Sequence, residues 1–154
     1  MLVNALYDRD MGMPIEERLG GDIKRVEHEL MLVKQQAVRP AGLTVAQYAT
    51  LLVLHDHPGV SAAELARRCR VTPQTMTTIL RNLEAAELIA RVPHEVHRNV
   101  LETRLTEAGR AAFEMADERA SAVERKLADE FSAAERDTLR ALLARCSKAL
   151  NGQP

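Results

Sequence analysis

A chain of 154 residues with 46% hydrophobic residues has the length and apolar content of one domain with its own core. Aromatic residues make up only 3%, so Leu, Ala and Val must fill that core, which favours helix over sheet. The formal net charge of −1 excludes a polycation, so a nucleic-acid face requires local clustering of positive charge. Residues 61–105 carry such an excess, with seven Lys/Arg against five Asp/Glu.

Several classes of function lack their signatures in this sequence. It contains no G-x-S-x-G, P-loop, G-x-G-x-x-G or H-E-x-x-H motif, so we expect neither an enzyme nor a cofactor. Cys69 and Cys146 have no C-x-x-C spacing, which implies neither a disulfide framework nor a zinc ribbon. Residues 55–57 (His-Asp-His) resemble a metal-binding fragment, but residues two apart on a helix do not share a face, so no metal site is expected. Charges at positions 8–10 interrupt the N-terminal apolar residues, so we expect no signal peptide, no membrane span and a cytoplasmic protein.

The first two predicted helices have clear boundaries. Apolar residues spaced by three and four predict a helix over residues 14–38, which ends because Pro40 disfavours helix at the preceding residue. Thr44, with Gln47 three residues later, predicts a capping box that opens a second helix, and residues 57–59 end it. The apolar seam of the first helix consists of Ile23, Val26, Leu30, Val33 and Ala37.

A short helix, a tight turn and a further helix are predicted next. Ser61 with Glu64 repeats the capping-box pattern and opens the third helix. Residues 70–71 form the turn, and Thr72 with Pro73 supplies the cap and first helical residue of a fourth helix. The predicted inward faces are Leu65, Ala66 and Cys69 on the third helix and Met76, Ile79, Leu80 and Leu83 on the fourth.

Two strands and two long helices complete the predicted fold. Residues 88–92 and 100–105 are predicted strands, and a helix over residues 106–129 follows them. Ser132 and Glu135 predict a third capping box before a final helix. The stripe on that helix consists of Leu139, Leu143, Cys146 and Leu150. The expected fold class is mainly α with a small β-wing, as one domain over residues 1–154 with about six helices and two to three short strands. Its parts are a winged helix-turn-helix lobe at 43–105 and a helical region at 14–38 and 106–151.

The outer face of the fourth helix favours DNA readout. Three threonines, at positions 75, 77 and 78, are mediocre helix formers that nothing local requires. Their hydroxyls donate and accept hydrogen bonds, and their methyls suit thymine, while Gln74 suits adenine and Arg81 suits guanine or phosphate. Such a helix after a short turn fits the major groove. The alternative interpretation is an ordinary solvated polar face.

Two further groups of basic residues flank this helix. The loop over residues 94–99, with Arg91, Arg98 and Arg104 around it, has the chemistry of a β-ribbon that enters the minor groove, or of an ordinary exposed hairpin. Three more arginines lie at the end of the third helix and in the turn, where they either contact phosphates or remain solvated at a helix end that favours cations. These are Arg67, Arg68 and Arg70.

The ordered set of motifs resembles the MarR family of bacterial transcriptional regulators. The resemblance covers most of residues 43–110. It is carried by Leu43-Thr44 with Gln47, Pro58-Gly59-Val60-Ser61, Glu64-Leu65-Ala66, Thr72 to Leu83, Glu84 to Arg91, and Leu105-Thr106 with Gly109. It implies a winged-helix homodimer that binds double-stranded DNA at a pseudo-palindromic operator, as a repressor released by a ligand. In that family the first, fifth and sixth helices build the dimer interface, which here implies Ile23, Val26, Leu30, Leu139, Leu143, Cys146 and Leu150.

The resemblance also implies a small aromatic or phenolic effector. Relatives hold such acids between the dimer helices and the DNA-binding lobe. Helical phase then selects His28, Leu32, Gln35, Tyr48, Leu52 and His55 as candidates. Residue by residue, ordinary core or surface packing is the alternative interpretation that the sequence favours.

The wing departs from the family pattern. Family wings carry Asp-x-Arg about eight residues before the Leu-Thr pair, and this chain has His97, Arg98 and Asn99 there. The wing contact therefore carries over to Arg98, with a hypothesis that protonated His97 contributes. The full predicted DNA-binding set is Arg67, Arg68, Arg70, Thr72, Pro73, Gln74, Thr75, Thr77, Thr78, Arg81, Arg91, His97 and Arg98.

Two alternative functions remain open at this point. The irregular wing and near-neutral charge also suit a dimeric winged-helix interaction module with weak or lost DNA binding. A cysteine-based redox sensor is the other, although Cys69 and Cys146 both fall on apolar faces, where thiols are usually inert.

Overall fold

The computed structural model describes residues 12–97 and 101–152. Within that part it contains six α-helices, two short 3-10 turns and one two-stranded sheet, which confirms the mainly α class with a small β-wing. The elements are a 3-10 turn at Ile15–Glu17, α1 (Leu19–Val38), a 3-10 turn at Arg39–Ala41, α2 (Val45–Asp56), α3 (Ala62–Cys69), α4 (Pro73–Ala85), β1 (Ile89–Pro93), β2 (Leu101–Leu105), α5 (Glu107–Asp129) and α6 (Ala133–Asn151). The chain forms two compact units, Met1–Val33 and Lys34–Pro154.

The first unit corrects the predicted start of the first helix. The helix begins at Leu19 rather than at Pro14. Pro14 is extended, with ψ of 147°, and Arg18 is extended again after the 3-10 turn, so the backbone cannot continue as one helix through these residues. Arg18 Nε donates to the Met13 carbonyl at 2.7 Å, which holds the extended residue in place.

The second unit holds an aliphatic core. Its buried hydrophobic residues are Val38, Leu43, Tyr48, Leu51, Leu54, Leu65, Ala66, Met76, Ile79, Leu80, Leu83, Ile89, Phe113, Ala116 and Ala120. The predicted inward face of α4 is confirmed in full, as are Leu65 and Ala66 on α3. Cys69 is only partly buried, because it lies at the last position of α3, at the margin of this core.

Local capping explains most helix starts. The boxes at Thr44 with Gln47 and at Ser132 with Glu135 are confirmed, with both reciprocal hydrogen bonds present. The box predicted at Ser61 is wrong in its second half. Ser61 Oγ accepts from the Glu64 amide at 3.2 Å, but the Glu64 carboxylate pairs with two arginines one turn further on instead of returning to the cap. Hydrogen bonds from two charged guanidinium groups stabilise a carboxylate more than one hydrogen bond from a backbone amide does.

The two strands form an antiparallel ribbon that is hydrogen-bonded to its surroundings at its base and at the middle of β2. Ile89 pairs with Leu105 and Pro93 with Leu101, so β1 begins one residue later than predicted. Thr106 Oγ1 donates to the Glu87 carbonyl at 2.7 Å and accepts from the Gly109 amide at 2.9 Å, which fixes the start of α5 beside the ribbon. The Gly59 amide donates to the Thr103 carbonyl at 3.2 Å, which joins the α2–α3 connection to β2.

In the part of the chain that the structure describes, no single helix has the length and apolar composition needed to cross a membrane. Residues 19–41 and 45–56 meet those criteria only when taken together as a bent pair.

Candidate DNA-binding surface

The turn between α3 and α4 has the geometry of a helix-turn-helix. Arg70 adopts a left-handed conformation (φ 55°, ψ 42°) that ends α3, and its amide donates to the Arg67 carbonyl at 3.2 Å. Thr72 then caps α4 by accepting from the Thr75 amide at 3.1 Å, and Pro73 occupies the first helical position, as predicted. α3 and α4 therefore leave the turn in different directions while both pack against α2.

The polar side of α4 is exposed along its whole length. Met76, Ile79, Leu80 and Leu83 are buried, which fixes the rotation of the helix about its axis. The exposed residues include all the predicted base-reading side chains, namely Gln74, Thr75, Thr77, Thr78 and Arg81. The buried anchors thus hold the opposite face as a rigid polar surface.

Hydrogen bonds of the hydroxyl groups orient the side chains of the three threonines at positions 75, 77 and 78. Thr77 Oγ1 donates to the Pro73 carbonyl at 2.9 Å, and Thr78 Oγ1 donates to the Gln74 carbonyl at 3.3 Å. Thr75 Oγ1 lies 2.9 Å from Thr72 Oγ1, inside the cap. A hydroxyl whose proton bonds to the helix backbone keeps its lone pairs for an outside donor.

The basic residues before α4 differ in their partners. Arg68 Nε lies 2.6 Å from Glu64 Oε1, and Arg67 pairs with the other oxygen of the same carboxylate. The hydrogen bond from Arg68, with the nearby positive charges, lowers the pKa of Glu64. Within the described residues, Arg70 and Arg81 form no ion pair, so their guanidinium groups need no exchange of partner to bind phosphate or base.

The described part of the wing contains charged side chains paired with one another. Arg91 Nε lies 3.8 Å from Glu84 Oε2, which links β1 to the end of α4. His94 contacts Glu102 of β2 at 3.3 Å, and Glu102 also accepts from Arg104. Of the predicted wing residues, Arg91 and His97 are exposed, while Arg98 lies outside the described residues. Sequence reasoning missed the contacts of Glu64, Glu84, His94 and Glu102. The available signals were the helical spacing of Glu64 with Arg67 and Arg68, and the two-residue spacing that places Glu102 and Arg104 on one face of a strand.

A second group of polar and aromatic residues lies where α2 meets α5. Tyr48 Oη donates to Asp117 Oδ1 at 2.7 Å, and burial, helped by this hydrogen bond and the negative charge of the carboxylate, raises the pKa of Tyr48. The His55 ring stacks on Phe113 with 4.6 Å between ring centroids. Asp117 and Phe113 were not among the predicted effector residues, because nothing in the local sequence connects α5 to α2.

The remaining candidate effector residues are distributed over both units. Gln35 is committed to the backbone, since it donates to the Leu43 carbonyl at 3.3 Å and accepts from the Val45 amide at 3.2 Å. Leu52 is partly buried against the core. His28 and Leu32 are exposed residues of the first unit.

The predicted dimer residues leave apolar surface exposed in each unit. α6 contains no buried residue, and Leu139, Leu143 and Leu150 are 41%, 49% and 77% exposed. In the first unit, Ile23 and Val26 are exposed and Leu30 is half-buried. Cys146 is half-buried on the α6 stripe. An apolar face this long on one helix is typical of an interface with another protein.

The thiol of Cys69 lies in a protected position. Its Sγ is 3.9 Å from Thr50 Oγ1, and burial raises the pKa of Cys69 above its usual range. A raised pKa keeps the thiol protonated and therefore unreactive at neutral pH.

A capped helix that follows a left-handed turn, with a buried apolar face, an exposed polar face and a two-stranded ribbon behind it, defines a winged helix-turn-helix protein. Residues 41–98 match the MarR family model. The chain is 39% identical over 107 residues to the HTH-type transcriptional repressor Rv2887 of Mycobacterium tuberculosis, which is 70% of this chain and 77% of that protein. The chain belongs to the MarR family and is a transcriptional regulator.

Two solved structures show what similar proteins bind. The structure of Rv2887 in complex with p-aminosalicylic acid has a TM-score of 0.65 and 33% identity, covering 84% of this chain and 98% of that one. The repressor CouR bound to a 23-mer DNA duplex has a TM-score of 0.76 and 28% identity, covering 86% and 94%. CouR comes from Rhodococcus jostii.

Proposed function

We propose that this protein is a repressor that binds a pseudo-palindromic operator as a homodimer and is released by a small aromatic or phenolic effector. The observation that carries the proposal is the exposed polar face of α4, which four buried apolar residues on the opposite side hold in one orientation. Similarity to CouR, whose structure contains a DNA duplex, supports the same use of the fold.

The threonines define which base edges α4 favours. The hydroxyl protons of Thr77 and Thr78 are bonded to backbone carbonyls, so the lone pairs of both hydroxyl oxygens are available to an outside donor. The methyl groups of these exposed side chains are available for apolar contacts. Lone pairs accept from adenine N6 or cytosine N4, and methyl groups contact the thymine methyl. Gln74 and Arg81 add the groups that bind adenine and guanine. We therefore expect the half-site opposite residues 77 and 78 to present amino or methyl groups.

The basic residues position the protein on the DNA backbone. Arg67, Arg68 and Arg70 at the end of α3 are assigned to phosphates, and the wing residues Arg91, His97 and Arg98 to the adjacent groove. Thr72 caps α4 and Pro73 is its first residue, so the Gln74 amide is the free donor assigned to a phosphate at this helix end. Two of these arginines share Glu64, so their binding to phosphate requires exchange of that partner.

The homodimer is proposed to use the apolar face of α6, with Leu139, Leu143, Cys146 and Leu150 against a second copy. The exposed residues Ile23 and Val26, with Leu30, are assigned the same role in the first unit. In a two-fold dimer the same patch meets itself, and operator half-sites follow at about one DNA turn, roughly 34 Å.

The effector is assigned to the second unit, to the surroundings of Tyr48 and His55 with Gln35 and Leu52. The other two predicted effector residues, His28 and Leu32, belong to the first unit and stay a separate prediction. The chemistry of the effector is suggested by the p-aminosalicylic acid complex of Rv2887. Such a ligand releases DNA only if it binds the off state more tightly than the DNA-bound state. A small change in the spacing of two recognition helices is then enough, because the half-site spacing is fixed.

The test is selection of bound sequences from a random duplex library at about 0.15 M salt, where nonspecific phosphate binding is damped. Recovery of one pseudo-palindrome with half-sites about 10 base pairs apart is the expected result. Arg81→Ala should then weaken binding to that sequence by about 1–3 kcal/mol, while Arg125→Ala, which removes an exposed arginine of α5, should not. Folded, dimeric protein that enriches no sequence would overturn the proposal in favour of a protein-interaction module.

A further inference from the structure

The wing contains a histidine that accepts hydrogen bonds from the backbone. His94 Nδ1 lies 3.0 Å from the Val96 amide nitrogen and 3.1 Å from the His97 amide nitrogen. Both amides are donors, so Nδ1 must carry a lone pair and no proton. This bonding closes the turn at residues 94–97, at the end of β1.

The other ring nitrogen is consistent with the same tautomer. Because Nδ1 accepts, the proton of the neutral ring belongs on Nε2, and this nitrogen lies 3.3 Å from Glu102 Oε1. The Glu102 side chain is 12% exposed and accepts from Arg104 Nη2 at 2.6 Å and Nε at 2.9 Å. The ring is therefore held between a fixed carboxylate and the turn that it closes.

The other groups around His94 do not change this assignment. The His97 ring lies 5.3 Å away between centroids, and Glu95 is exposed in the turn itself. From the α2–α3 connection, the backbone of Gly59 packs against the Glu102 side chain and brings no charge. Among the residues that the structure describes, Glu102, with Arg104 bound to it, is thus the charged group in direct contact with the ring.

We propose that His94 is a positioning residue that holds the wing turn only in its neutral form. Protonation puts hydrogen on Nδ1, which then faces two N–H donors and cannot accept from either. The contact between Nε2 and Glu102 becomes an ion pair on protonation, so the ring stays on β2 while the turn loses both of its bonds. Acid therefore opens the wing turn.

The consequence for DNA binding rests on the proposed function, in which the wing contacts the operator. Specific affinity should fall by about three- to tenfold between pH 7.5 and 5.5, the range in which histidine changes charge, because two hydrogen bonds of the wing turn are lost. Extra positive charge from His97 would have the opposite effect, since protonation near phosphates strengthens binding. A fall in affinity on acidification therefore indicates the effect of His94, and a rise indicates the effect of His97.

The two hydrogen bonds that His94 accepts in the wing turn are tested first, on the protein without DNA. Long-range proton–nitrogen NMR of the histidine rings should show an unprotonated Nδ1 and a protonated Nε2 at pH 7.5. The Val96 and His97 amide resonances should shift with the His94 titration. A proton on Nδ1 at pH 7.5, or amides that do not follow the ring, would overturn the proposal whether or not the protein binds DNA.

Three variants then test the effect on DNA affinity. Asparagine places its Oδ1 close to the position of Nδ1 and does not titrate, so His94→Asn should keep affinity and lose its pH dependence. His94→Phe has no acceptor and should behave at every pH as the wild type does at pH 5.5. The control His57→Asn, which removes an exposed histidine outside the proposed DNA-binding residues, should retain the wild-type pH response. An unchanged pH response in His94→Asn would refute the role of His94, whereas loss of operator binding in the wild type would refute the proposed function and leave the NMR result standing.

Discussion

Tyr48 illustrates how burial changes one side chain in this protein. It is 7% exposed, its ring stacks against Phe113 at 6.2 Å, and its hydroxyl proton is bonded to a carboxylate 69 residues away in sequence. Ionisation of Tyr48 would place a second negative charge beside Asp117 in a partly buried site. The folded protein therefore retains a proton that the unfolded chain releases near pH 10.0.

Tyr48→Phe should lower the free energy of unfolding at pH 7 by about 1.5–3 kcal/mol, because Asp117 loses a donor and keeps its charge. The pKa of Tyr48 is raised on folding, so its contribution is present below pH 10.0 and is lost as pH rises above that value. Chemical denaturation from pH 7 to 11 should accordingly show that the free energy of unfolding falls less in Tyr48→Phe than in the wild type. Tyr7 is retained in both proteins, so its titration cancels. Parallel pH curves for the two proteins would contradict this assignment.

At the scale of single elements, we expect Glu64 of α3 to weaken DNA binding. Glu64 Oε1 binds Arg68 and Oε2 binds Arg67, so one carboxylate occupies two arginines assigned to phosphates. The pairs are exposed and contribute little to stability. Their main effect falls on the availability of the arginines.

Glu64→Gln should strengthen operator binding by about two- to tenfold and steepen the salt dependence by about one unit of slope. The Ser61 cap survives, because it uses the backbone amide of residue 64. Affinity measured between 50 and 200 mM salt checks both effects. Glu118→Gln removes the same charge from an exposed position of α5 and is the matched control. Equal gains in the two variants would show that net charge, rather than release of the arginines, is responsible.

The start of α5 depends on a close backbone approach at Gly109. A Cβ at this position would lie 1.8 Å from the Leu88 carbonyl oxygen. Gly109→Ala should therefore destabilise the protein by about 3 kcal/mol, since the ribbon and α5 must move apart. Gly20→Ala is the control, because a Cβ there meets nothing within 4 Å and should gain about 0.5–1 kcal/mol from higher helix propensity. Thermal denaturation compares them, and a neutral Gly109→Ala would exclude this tight contact.

At the scale of the whole molecule, the long apolar face of α6 predicts that the protein is a dimer in solution. Leu143→Glu should convert the dimer to monomer, because it places a charge at the centre of that face, where Leu143 is 49% exposed in the single chain. Ala141→Glu introduces the same side chain about 160° around the helix and should leave the dimer intact. Sedimentation velocity distinguishes the two forms. A wild-type monomer, or a dimer unaffected by Leu143→Glu, would exclude this face as the interface.

Much of the fold was predictable because it depends on residues close together in sequence. The caps at Thr44, Thr72 and Ser132 are confirmed, since each requires only a side chain and an amide three residues away. The buried face of α4 follows from helical spacing alone. The error at Ser61 arose because Glu64 had two possible partners, and the strength of the competing pairs cannot be obtained from spacing.

The candidate site was predictable in part. The exposed residues of α4 follow once its buried face is known, because the two faces are complementary. Four contacts that shape the rest of the site join elements that are separated along the chain or across the ribbon, and no local pattern encodes them. These contacts are Tyr48 with Asp117, His55 with Phe113, Arg91 with Glu84 and His94 with Glu102.

Sequence alone determined most of the helix boundaries and the polar face of α4, because periodicity and capping are short-range properties of the chain. The class of protein followed from the resemblance of the motifs in residues 43–110 to a known family. Tertiary structure alone decided which arginines form ion pairs within the protein. Glu64 and Glu84 pair with arginines that the sequence does not distinguish from the others. Tertiary structure also decided which histidine holds the wing. A hydrogen bond depends on the positions of two atoms in space, and only the folded backbone brings the amides of Val96 and His97 to one ring nitrogen of His94.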